Sequence, residues 1–313
     1  MLDNSEKKFK LKDLPSLIVD TYKAWDKANP WRLSAVVAYY AVLSLPALLI
    51  IIINIVGSIW GTEIVQGRLT SEISTALGSN AAEAIETIIA ETQNKEENLI
   101  STIIGIGTLL FGATGVFYQL KLSLNEMWHI KPNPNANFWK LVTDRARSFA
   151  FILVIGFLLL VSFIVTAGIS ALNEYIRKVF PDILIYIAYL LDFTVSIGII
   201  TVLFALMFRY MPDAKIRWKT VWIGALITAV LFVIGKSLLG FYFGEANPGS
   251  TYGAAGTIVL ILLWVSYSCL ILFFGAEFTY IYAKRYGHKI TPSYVALEDN
   301  NTNSEQPSKS IKS

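Results

Sequence analysis

The sequence predicts an all-α polytopic membrane bundle of six transmembrane helices, with the N- and C-termini cytoplasmic. Three observations predict it. Hydrophobic residues make up 54% of the 313-residue chain and charged residues only 16%, against about 25% charged in a typical soluble domain. Six long runs carry almost no charge. Lys and Arg fall on alternate sides of those runs.

The runs are Leu33 to Thr62, Asn98 to Leu120, Ser148 to Asn173, Ile183 to Phe208 apart from Asp192, Thr220 to Gly244 apart from Lys236, and Ala246 to Ala276. A helix needs roughly 20 mostly apolar residues to cross hydrocarbon, and each run supplies them. Strands in lipid would need a closed barrel and an alternation over about ten residues. These runs are longer and apolar on every face, so helices are the fit. With the N-terminus inside, the cytoplasmic segments hold 21 Lys and Arg, while the outer segments hold Arg68, Lys95, Arg177 and Lys178. That bias sets orientation. The expected organisation is a cytoplasmic amphipathic lead-in over 1–32, a six-helix domain over 33–283 with an outer helical loop at 63–97, and a disordered cytoplasmic tail over 284–313.

Within the lead-in, Leu14, Leu17, Ile18 and Trp25 space out as the lipid face of a surface helix. The same stretch also reads as a helical lead-in to span one. No short apolar core with a small-residue cleavage site stands in the first thirty residues, so span one is expected to act as its own insertion signal. The outer loop carries seven Glu between Glu63 and Glu97 against two basic residues. Leu69, Ile73 and Leu77, then Ile85, Ile88 and Ile89, space out as two short helices. Gly78 and the Asn80/Glu83 pair mark the break between them. The tail after Gly287 has too few apolar residues to fold alone. Cys269 is the only cysteine, which excludes an intramolecular disulfide.

Charges inside the membrane demand an explanation, because an unpaired one costs roughly 2.5–3.5 kcal/mol on insertion scales. Asp192 lies 17 residues before Arg209, and Lys236 lies 17 residues after Lys219. At about 1.5 Å per residue, both reach the same depth. They are expected to form an ion pair or to share a polar cavity, with a structural lock and a substrate or proton site both open. Glu277 and Arg209 lie near inner span ends, where anchoring or capping is expected. Asn54 and Gln119 are expected to make interhelical hydrogen bonds. Pro46 should kink span one. Gly105, Thr108, Gly112 and Gly115 form one smooth packing face on span two, and Gly249 and Gly253 repeat it at the start of span six. The tryptophans, Trp128 among them, cluster at interfaces as belts do.

Catalytic motifs are missing. His129 and His288 have no second ligand at metal spacing, and there is no P-loop or nucleophile elbow. The net charge of +3 is too weak to imply nucleic acid. The chain is therefore expected not to be an enzyme and to need no cofactor or metal.

The last third reads FRYMPDAKIRWKTVWIGALITAVLFVIGKSLLGFYFG and then YGAAGTIVLILLWVSYSCLILFFGAEFTYIYAKRYG. With Tyr252-Gly253-Ala254-Ala255-Gly256, Trp264-Val265-Ser266-Tyr267, Gly275-Ala276-Glu277, Gly235-Lys236 and the span-one stretch AVVAYYAVLSLPALLI, it resembles the YihY/BrkB family of bacterial inner-membrane proteins. The resemblance covers about Trp31 to Gly287, and Asp192 is outside its motifs. It implies a six-helix, multi-pass inner-membrane protein. Members have carried the label ribonuclease BN. That activity would need a nucleic-acid groove and a metal or acid–base cluster, neither of which is present.

Two functions are weighed first. One is a transporter or flippase-like permease for a lipid or small amphipathic solute, resting on Asp192, Lys236, Pro46 and the glycine faces. It would be secondary or facilitated, for want of an ATP-binding segment. The other is a non-transporting envelope scaffold or integrity factor using the acidic outer helices or the tail. An enzyme at the membrane stands third. Membrane lipids and a small-molecule or lipid substrate are the partners expected. The sequence leaves oligomerisation open.

Overall fold

The computed structural model describes residues 9–77, 82–83, 85–87, 90, 99–132, 142–143, 146–158, 161, 183–246, 256–286, 290–292 and 296–298. The helices are α1 (Leu14–Lys27), α2 (Pro30–Trp60), α3 (Thr62–Leu77), α4 (Leu99–Met127), α5 (Ala146–Leu158), α6 (Ile183–Tyr210), α7 (Trp218–Ala246) and α8 (Gly256–Arg285). Short strands follow α4 (β1, Ile130–Pro132), join α6 to α7 (β2, Ala214–Lys215) and follow α8 (β3, Thr291–Pro292; β4, Ala296–Glu298).

Among the described residues, three helical stretches are long and apolar enough to cross a membrane: Phe193–Tyr210, Trp218–Phe243 and Gly256–Arg285. A fourth counts if the two halves of α2 are one span. Those halves, Pro30–Leu45 and Ala47–Ser58, meet at 56°. The bend falls at Pro46, which has no N–H for the helix ladder. α1 gives way to α2 at Asn29, whose φ of 52° puts it in the left-handed region that asparagine tolerates. Pro30 then opens α2, where its missing N–H is harmless.

Hydrogen-bonded pairs gather one end of the bundle. β1 pairs antiparallel with β4, placing Ile130 opposite Glu298 and Pro132 opposite Ala296. β2 pairs with β3, placing Ala214 opposite Pro292. Arg32 at the start of α2 bridges to Glu126 at the end of α4. The start of α2, the end of α4, the α6–α7 turn and the end of α8 therefore share one end, called here the near end. The tail was expected to be unstructured, and its first part is corrected by these strands. Residues 291–292 and 296–298 find backbone partners in two loops, and Ile290 packs on the core, so these strands need no core of their own.

α1 docks on the end of α8. Leu17 and Thr21 are buried, and Leu17 packs with Phe278, Tyr282 and Tyr286. Leu17 thus meets protein, while Ile18, Val19 and Tyr22 remain exposed. Arg285 donates to Ser16 Oγ at 2.9 Å. The Tyr286 hydroxyl donates to Asp13 Oδ2 at 3.0 Å. Burial first, and that carboxylate second, hold the Tyr286 phenol above its ordinary pKa.

α7 and α8 make the closest approach in the bundle. A Cβ built on Gly224 would overlap Thr279 Oγ1, and one on Gly275 would overlap Thr228 Oγ1. Each threonine hydroxyl donates back to the glycine carbonyl of its own helix, Thr228 to Gly224 and Thr279 to Gly275, both at 2.7 Å. Two Gly-x-x-x-Thr ridges thus interlock, with every hydroxyl satisfied. On α4, Gly112 faces Ala47 of α2 and Gly115 faces Ser44 and Tyr40. The side chain of Thr108 lies outside the described residues, as do Gly249 and Gly253 entirely and the expected break at Gly78 and Asn80. Gly105 belongs to α4, but its surroundings are likewise not described.

Candidate functional site

A cavity lies beside the near end of α6, and an exposed stripe marks its far end. At the far end, α6 and α7 run side by side and antiparallel. Seven residues are almost two turns, so residues seven apart share a stripe within about 20°. On α6, Thr201 and Ala205 are buried, yet Thr194 and Gly198, seven residues earlier, are exposed. A Cβ on Gly198 would meet nothing within 4 Å. On α7, Ala229 and Phe243 are buried, yet Lys236 midway between them is exposed. The lipid side of α7 is a different stripe, Leu226, Val230, Ile234 and Leu238. Lys236 therefore emerges on the bundle-facing stripe. It sits 18 residues beyond Trp218, about 27 Å along the helix. Asp192 lies two residues before Thr194 on α6, but its side chain is outside the described residues, and so is its expected pairing with Lys236.

At the near end, a buried ionic network closes the α6–α7 turn. The side chains of Lys121 and Asp213 are 4% and 3% exposed, with Lys121 Nζ 3.0 Å from Asp213 Oδ2. Asn125 Nδ2 donates to the same oxygen at 3.1 Å, and the Asp213 N–H donates to Asn125 Oδ1 at 2.8 Å. Lys121 and Asn125 stand one turn apart on α4, so both reach one carboxylate. Arg147 Nη1 lies 3.6 Å from Asp213 Oδ1. Beside this network is a cavity of about 430 Å³, lined by Arg147, Phe151, Val154, Leu206, Arg209 and Asp213 among others. Arg209 donates to the Ile216 carbonyl and lies over the Trp218 ring, 5.6 Å from its centroid. The sequence reading missed this network. Its signal was there: Lys121 and Asn125 at helical spacing, and Asp213 as the sole acid in a turn holding Arg209, Lys215, Arg217 and Lys219. Between the exposed stripe and this cavity the bundle is filled by Phe204, Phe208 and Phe232, whose rings touch edge-on and stacked.

Other expected site residues land elsewhere. Glu277, expected to anchor at a span end, is 1% exposed. The reason is that α8 runs on to Arg285, nine residues past the uncharged window. Neither carboxyl oxygen has a hydrogen-bond partner among the described residues, and neither does the buried indole Nε1 of Trp25. A buried acceptor left unsatisfied costs about 1–3 kcal/mol. Glu277→Leu is therefore expected to raise the thermal stability of the detergent-purified protein by a comparable amount. A fall in melting temperature would show that the carboxyl is bonded. Asn54 is exposed on α2, and its expected interhelical bond is not made among the described residues. Trp128 is not part of an interfacial belt: it is buried, and its Nε1 donates to the Ala276 carbonyl at 2.9 Å. A second cavity, about 480 Å³, lies between α3 and Ala82, Glu83 and Glu86.

The comparisons with known proteins agree with a membrane bundle. The family model Virulence factor BrkB matches residues 21–296. A UPF0761 membrane protein of Vibrio vulnificus is 24% identical over 280 residues, covering 86% of this chain and 83% of the relative. One of Mannheimia succiniciproducens is 23% identical over 219 residues, covering 66% and 67%. One of Pseudomonas paraeruginosa is 30% identical over 200 residues, covering 63% of this chain but only 46% of the relative. No solved structure matches. Long apolar helices, their packing through glycine ridges and the family match along most of the chain lead to one conclusion: this chain is a multi-pass integral membrane protein and belongs to the Virulence factor BrkB family.

Proposed function

We propose that this protein is a six-span inner-membrane permease for a lipid or a small amphipathic solute, working without catalysis and with both termini in the cytoplasm. The observation that carries the reading is Lys236, exposed on the bundle-facing stripe of α7 about 27 Å along that helix from Trp218. A lysine at that depth is stable only where water or a counter-charge reaches it. The exposed stripe at the far end, with packed phenylalanines between it and the near end, supports a permease open to one side. The orientation rests on the Lys and Arg bias. The alternation of helix ends at the near end supports the reading of six crossings, with α5 belonging to the third.

The test is water access. Single cysteines replace Lys236 and Leu238 in a Cys269→Ser background, and a membrane-impermeant thiol reagent is applied from each side. Lys236→Cys is expected to label from outside, while Leu238→Cys on the lipid stripe stays unlabelled. A folded Lys236→Cys protein that labels from neither side would sink the proposal, because the stripe would then be dry.

A further inference from the structure

We propose that the near-end cavity between α5 and α6 binds the phosphate of a phospholipid headgroup, with Arg147 and Arg209 as its ligands. The inference stands on this cavity alone and does not depend on Lys236.

Charge bookkeeping around the cavity comes first. Asp213 is the one acidic wall residue among the described residues, and the buried ammonium of Lys121 lies 3.0 Å from it. Arg147 and Arg209 then leave the cavity positive. Arg209 is fixed in place by the Ile216 carbonyl on one edge and by the Trp218 ring on one face. A guanidinium has five N–H donors, so most of them remain for a ligand. Arg147 is 51% exposed, and its approach to Asp213 is 3.6 Å, too long for a hydrogen bond. It is free to turn to an anion. Two guanidinium forks facing one space suit the oxygens of a phosphate.

The rest of the wall selects which phosphate. Ala150, Phe151 and Val154 of α5 and Leu206 of α6 line the cavity, leading away from the arginines along the helices. A charged mouth continued by an apolar wall fits an amphipathic anion. About 430 Å³ holds a headgroup and its first methylenes, leaving the acyl chains in the bilayer. Free phosphate would use the arginines and leave the apolar wall empty.

The experiment uses the full chain purified in detergent. Native mass spectrometry reads binding of phosphatidylglycerol and phosphatidylcholine, and a thermal-shift assay reads inorganic phosphate. Arg147→Glu removes a ligand from an exposed position, so the fold should survive, and a melting curve verifies it. Val154→Trp fills the apolar wall without changing charge. The expected result is one retained phosphatidylglycerol, preferred over phosphatidylcholine and weakened about tenfold or more by Arg147→Glu, the loss of one charge-assisted contact. Val154→Trp should weaken it as well. Stabilisation by inorganic phosphate that Val154→Trp leaves untouched, with no retained lipid, would replace the lipid by free phosphate and overturn the proposal. Phosphatidylglycerol retained equally by wild type and both variants would place its binding elsewhere and overturn it too.

Discussion

Asp213→Ala is expected to lower the unfolding free energy by about 3–5 kcal/mol, the usual consequence of removing one member of a buried pair. The ammonium of Lys121 would remain 4% exposed with its counter-charge gone. Asn125 would lose both its acceptor on Oδ2 and the geometry that holds the Asp213 N–H. The pair can be isolated by a cycle. Lys121→Met alone should also destabilise, since it takes from the buried carboxylate the ammonium 3.0 Å away. The double variant Lys121→Met/Asp213→Ala should be less destabilised than the sum of the single changes by more than about 0.5 kcal/mol, the tolerance of independent sites. Thermal or denaturant unfolding in one detergent measures all four proteins. Strict additivity would show that the two charges do not stabilise each other and that the turn is held by backbone pairing alone.

Gly275→Val is expected to prevent stable assembly of the bundle. Even the alanine variant should cost about 1–3 kcal/mol, because a Cβ has no room against Thr228, whose Cβ and Cγ2 stand 2.8 and 2.9 Å from its position. Valine adds two methyl groups where α7 and α8 already touch. Membrane association without a hydrophobic driving force depends on this kind of close backbone approach. Shortening the opposing residue should relieve part of the damage, so Gly275→Ala/Thr228→Gly is expected to melt above Gly275→Ala. Folded yield and melting temperature report both effects. A Gly275→Val protein with wild-type yield and melting temperature would mean that the two helices do not cross through these residues.

The long uncharged runs made the helices legible, and the lysine and arginine bias suggested their directions. What the runs concealed is which face of each helix meets protein. A helix apolar on every side carries no periodicity to separate lipid from core. Asn54 was therefore expected to bond across helices, yet it is exposed. Trp128 was placed in an interfacial belt, yet it lies inside. The glycine faces were sought as steps of three and four within one helix. Gly112 and Gly115 of that set do meet α2, but the tightest crossing needed two helices read together, Gly224 and Thr228 against Gly275 and Thr279. Glu277 was expected to anchor or cap near the inner end of α8, yet it is buried. A single carboxyl in a helix of this length did not end it. Asp213 was lost among loop charges, since nothing local says that a turn residue will be buried by α4, 88 residues earlier.

The short strands after α8 have a mechanical consequence. One segment of chain is stitched to the loop after α4 through β1 and to the α6–α7 turn through β2. While both ladders hold, the two loops are tied to one segment, so a swing of either one pulls on the other. Rocking of the helices is thereby restrained at the near end, with its largest sweep at the opposite end of α6 and α7. Cutting the chain after Arg285 would remove the clasp and release each loop from the other.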